Sequence, residues 1–225
     1  MPIGSRAAIA LTLVLTVACF AATGDAHAQQ ANQALTHFSH VATGFNGTPG
    51  GRGLAVTAAM EVNTAMMYAN FAAGHPTDLA AMQTNVRYVL HALVPQPGTK
   101  GMGLGFGVKQ AAELVVTHIE MAVNAPGASA TMRKLGPDVA IAARAGAARA
   151  QAMADLGGRV LAAQTAAQAA PIVEQLRTLA LQLDTGRDAN GNGRIDLDRV
   201  EPGMNQLEAQ VYSIFEGEQL PRALK

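Results

Sequence analysis

Tryptophan is absent from this 225-residue chain, and aromatic residues make up only 4% of it. Isoleucine is sparse, and no alternation of apolar and polar residues runs long enough for a half-buried strand. Both absences argue against a β-rich fold. Cysteine occurs once, at Cys19. That count excludes a disulfide framework, a zinc ribbon and the Cys-x-x-Cys-His of c-type haem. Neither sign of charge is in excess, with 16 Lys and Arg against 16 Asp and Glu. A balanced chain is a poor electrostatic match for nucleic acid.

Alanine dominates instead, and it is the strongest helix former. Alanine-rich stretches lie between clear breaks: Gly44 to Gly53, Gly74 to Thr77, Pro95 to Gly107, Ala125 to Ser129, Gly136-Pro137, Gly157-Gly158 and Pro171. Leu54 to Ala73 carries Leu54, Ala58, Glu61, Ala65, Tyr68 and Ala72 at helical spacing. Thr77 is placed to cap a helix to about Leu93, with Leu79, Met82, Val86, Leu90 and Leu93 on one face. Val108 to Asn124, Asp138 to Ala169, Pro171 to Leu183 and Asn205 to Phe215 complete the set. Gly157-Gly158 is a candidate bend, and Pro171 suits a first helical turn. Short connections favour antiparallel neighbours, so the pattern predicts an all-α, antiparallel helical bundle.

The first 28 residues read as an export signal. Arg6 is followed by the apolar run Ala7 to Ala22 and by Ala26-His27-Ala28, a small-x-small cleavage site that makes Gln29 the mature start. A rival is lipid attachment at Cys19, which follows Val17-Ala18 as in a bacterial lipobox, although Thr16 stands where leucine is usual. Either route predicts an exported protein, periplasmic or secreted. No later stretch is long and apolar enough to span a bilayer. Residues 29–225 read as a single helical domain. Without disulfides it must rest on its core, and a domain of this size buries roughly 70% of its unfolded surface.

The C-terminal third concentrates acid. Asp184 to Glu218 holds eight of the sixteen acidic residues against Arg187, Arg194 and Arg199 as bases. Within it, Asp188-Ala-Asn-Gly-Asn-Gly-Arg-Ile-Asp196 sets oxygen-bearing side chains at alternate positions. Gly193 allows a sharp turn, and Ile195 offers an apolar anchor. This stretch resembles the calcium loop of EF-hand proteins, whose ligands come from positions 1, 3, 5, 7 and 9 with glycine at 6. The resemblance implies calcium held by Asp188, Asn190 and Asn192, by the backbone carbonyl of Arg194, and by Asp196, directly or through a water. It covers about a dozen residues and departs at position 12, where Arg199 replaces the bidentate glutamate. Asp198 and Glu201 flank that place and are the candidates to supply its carboxylate. Weak affinity is the expectation, and Asp188→Ala is expected to cost the ion-free chain little. The bland alternative is an Asx-rich turn.

Five histidines follow the cleavage site: His37, His40, His75, His91 and His118. Methionine is also plentiful, and imidazole and thioether suit copper, so a copper- or haem-binding bundle is the second reading. His37 and His40 share one helical face if their segment is helical. His118 clusters in sequence with Glu120 and Met121. Methionines at helical spacing more often fill cores. Glycines 101, 103, 105 and 107 fit neither the Rossmann nor the P-loop spacing. They read as a flexible connector, although the helix N-terminus they lead into could favour an anion. Ser39, Ser129 and Ser213 lie in no nucleophile elbow, and no motif supports an enzyme.

Overall fold

The computed structural model describes residues 33–218. The expected signal segment, its cleavage site and Cys19 lie outside them. The described residues are all-helical, with no strand, and their packed helix pairs make a helical bundle. The helices are α1 (residues 33–42), α2 (Leu54–Ala73), α3 (Leu79–Leu93), α4 (Val108–Asn124), α5 (Ala130–Ala162), α6 (Ala166–Thr185) and α7 (Met204–Gly217). A 3₁₀ turn, Pro49–Gly51, precedes α2.

At 33 residues α5 is about 50 Å long by the helical rise. It packs against α3, α4, α6 and α7, while α2 packs against α3, α4, α6 and α7. Between these two helices lies one apolar cluster that takes residues from every helix, from Phe38 and Val41 to Leu207 and Ile214. Much of it is alanine, so the helices come together closely. None of the described helices is long and apolar enough to cross a membrane.

Helix boundaries depart from expectation in four places. The cap of α3 is Asp78 rather than Thr77, because its carboxylate accepts the Ala81 amide at 2.9 Å. Gly136-Pro137 and Gly157-Gly158 do not break α5, which runs through both without a break. A Cβ at Gly136 would sit 2.2 Å from Val123 Cγ2, and one at Gly157 would sit 2.7 Å from Leu90 Cδ2. These glycines let α4 and α3 approach α5 closely. The real stop is at Ala162, where Thr165 starts α6 with a capping box to Gln168. Pro171 therefore falls in the second turn of α6, not its first.

The segment Gly101 to Gly107 is likewise no loose connector. Glu61 of α2 is fully buried, and its carboxylate accepts the amides of Leu104 (3.0 Å), Phe106 (2.9 Å) and Gly107 (3.0 Å). Among the described residues no Lys, Arg or His forms an ion pair with it. The anion that this helix N-terminus favours is thus the protein's own, and backbone amides stand in for a counter-ion.

Candidate functional site

The acidic loop joins α6 to α7 and closes at a narrow neck. Gly186 ends α6 with φ +84°, a left-handed conformation that glycine adopts without penalty. A Cβ there would stand 2.7 Å from the Glu201 carbonyl oxygen, so the outgoing and returning chains touch. The Arg187 amide donates to that same carbonyl at 2.8 Å. Gln206 of α7 accepts the Gly203 amide and donates to the Thr185 carbonyl, tying the two helix ends.

Inside the neck, short side chains organise the backbone. Asp188 accepts the amides of Gly191 (2.6 Å) and Asn192 (3.2 Å) on one oxygen and that of Gly193 (2.7 Å) on the other. Asn190 and Asn192 each accept the amide two residues on, the Asx turns that such residues favour. Gly193 takes φ +81°, as the sharp turn requires. The amide groups of Asn190 and Asn192 both donate to Asp196 Oδ2, at 3.0 and 2.6 Å. Four of the sequence-derived residues, Asp188, Asn190, Asn192 and Asp196, are therefore joined in one hydrogen-bonded network. Arg194 contributes its amide to that network and lies exposed, as does Arg199.

The two candidate carboxylates for position 12 go elsewhere in the loop. Glu201 is fully buried. Its Oε1 accepts the amides of Ala189 and Asn190, both at 3.0 Å, and its Oε2 accepts that of Asp196 at 2.8 Å. Asp198 Oδ1 accepts the amides of Val200 and Glu201, each at 2.8 Å. Those two bonds hold the Asp198 carboxyl below its usual range; its slight desolvation opposes them and Arg149 assists.

Sequence reasoning missed Arg149. From α5 its guanidinium donates to the carbonyls of Val200, Glu201 and Pro202 at the loop exit. Burial lowers its pKa, with Arg187 adding to the effect and Asp198 opposing it. Nothing in an alanine-rich helix distinguishes this arginine, because its partners lie about fifty residues away.

A second cluster forms between α1 and α4. The i, i+3 pair His37 and His40 on α1 meets His118 of α4. Nδ1 of His118 lies 3.3 Å from Nδ1 of His37 and 3.3 Å from Nδ1 of His40. The ligand atoms of all three fall within 4.8 Å of one another, and the rings are half-buried. This group could hold a metal ion. Phe45 walls it, with ring centroids 5.4 Å from His40 and 5.3 Å from His118. Glu120, close in sequence to His118, pairs instead with Arg144 of α5. His75 and His91 bond to the carbonyls of Phe71 and Met102. Comparison with family models, with curated proteins and with solved structures finds no match for the chain.

Proposed function

We propose that this chain is an exported calcium-binding helical bundle with a binding or structural role, in which the ion ties the end of α6 to the start of α7. The observation that supports the reading is the hydrogen-bonded network of Asp188, Asn190, Asn192 and Asp196, in a loop that turns at the left-handed Gly193. Calcium takes six to eight oxygens in a flexible shell, and short alternating Asx side chains with one carbonyl suit it. Export is supported by Arg6, the apolar run after it and Ala26-His27-Ala28.

Glu201 has a different role from an EF-hand clamp in this reading. It braces the loop backbone through three amides, while Arg149 braces the exit. The loop is held in shape, but its ion lacks one charged ligand. On binding, the cation takes the place of the two side-chain amide donors on Asp196, and Asn190 and Asn192 turn their oxygens inward. The resulting affinity belongs with extracellular modules, at a dissociation constant of about 10⁻⁴ to 10⁻³ M. Titration calorimetry on the purified chain tests this, with Asp188→Asn as the matched variant. Asparagine removes a charge from the ion but keeps only one of the two oxygens that accept loop amides, so its ion-free melting midpoint is measured beside that of the wild type. Binding heat that appears in the wild type and weakens in the variant supports the reading, and an athermal titration with no melting shift refutes it.

A further inference from the structure

We propose that His37, His40 and His118 form a binding site for one divalent first-row transition ion, zinc or copper, built where α1 crosses α4. The proposal stands independently of the calcium loop, which offers oxygen and not imidazole.

Two observations carry it. The first is distance. A zinc–imidazole bond of about 2.0–2.1 Å in a tetrahedral shell sets ligand nitrogens about 3.3–3.4 Å apart. Both His118 Nδ1 separations are 3.3 Å. The second is construction. His37 and His40 sit one turn apart on a helix whose Ala34, Phe38 and Val41 are buried in the core. His118 sits on α4, whose Val115, Ile119 and Ala122 are buried in the same core. The imidazoles are therefore brought together by two anchored helices and not by a loop. Phe45 closes one side with an apolar face.

Three imidazole nitrogens this close together suit a bare ion. Three protein ligands leave a fourth position for water or an exogenous ligand, as in open zinc sites. By the usual order of affinities copper(II) binds more tightly than zinc at the same nitrogens.

The test is a Zn²⁺ titration of the whole chain by calorimetry in excess Ca²⁺, followed by a Cu²⁺ titration. One ion per chain is expected. His118→Ala and His37→Ala should each weaken binding by more than about a hundredfold, beyond the 10–100-fold that losing an outer hydrogen bond costs. His75→Ala and His91→Ala should change nothing. In the wild type, Zn²⁺ should shift the ring resonances of His37, His40 and His118 and leave those of His75 and His91 in place, a readout that needs no variant to fold. Absence of stoichiometric binding, undiminished binding in His118→Ala, or ring shifts confined to His75 and His91 would overturn the proposal.

Discussion

Replacing Glu61 by alanine is expected to be among the most damaging single changes in this protein. The carboxylate is fully buried and holds the amides of Leu104, Phe106 and Gly107. Hydrogen bonds to a charged group contribute about 1.5–3 kcal/mol each. Their sum overstates the effect, since the loop opens to water once its partner is gone. Removing one side of a buried charged constellation typically costs about 3–5 kcal/mol. In a chain of this size that lowers the melting midpoint by about 6–20 °C. Glu61→Gln separates charge from shape. With its oxygen in place of Oε1 it keeps the Phe106 and Gly107 bonds, but its NH₂ then faces the Leu104 amide, donor against donor. That costs about 2–3 kcal/mol. Differential scanning calorimetry gives the midpoints. Amide exchange should show Leu104, Phe106 and Gly107 losing protection together in Glu61→Ala. A Glu61→Gln midpoint equal to that of the wild type would refute the account of this loop as an intramolecular anion site.

Two glycines and one arginine follow the same logic. Gly136→Ala puts a methyl 2.2 Å from Val123 Cγ2, on a side chain stiff at χ1, and should cost about 1–3 kcal/mol by overpacking. Gly158→Ala meets nothing within 4 Å on an exposed helical position and should instead stabilise by about 0.5–1 kcal/mol; urea midpoints of opposite sign check the pair. Arg149→Ala should cost about 1–3 kcal/mol and weaken calcium binding, by leaving the Val200, Glu201 and Pro202 carbonyls without their donor. Arg149→Lys should fail to restore either, since one ammonium cannot span the fork; melting curves and calorimetry together decide it.

What the sequence made legible was local. The 3.6-residue spacing placed α2 and α4 at Leu54–Ala73 and Val108–Asn124, and the loss of regular strands followed from composition. Gly136-Pro137 and Gly157-Gly158 misled because glycine has two uses. It interrupts isolated helices, yet within a bundle it removes the Cβ that would hold two helices apart, and only the neighbouring helix tells which use applies. Glu61 lay visibly on an apolar stripe, but its partners are 43–46 residues away and are backbone, which leaves no mark in side-chain identity. Asp188 shows the same limit. Its carboxylate orders three amides, so Asp188→Ala also loosens the ion-free loop, against the expectation that it would cost little. His37 and His40 could be paired from their spacing, whereas His118 joins them only because α1 and α4 pack together.

The central claim is tested most directly by the thermal midpoint of the purified chain measured with and without calcium at about ten times the expected dissociation constant. One site at that saturation adds roughly 1.4 kcal/mol, which raises the midpoint by about 3–6 °C. Magnesium should do less, because it demands a tighter octahedron and gives up water reluctantly. Arg199→Glu, which restores a carboxylate at position 12, should enlarge the calcium shift, and Asp188→Asn should reduce it. A midpoint that ignores millimolar calcium in the wild type and in Arg199→Glu alike would contradict the account, and the network of Asp188, Asn190, Asn192 and Asp196 would then be only a well-ordered turn.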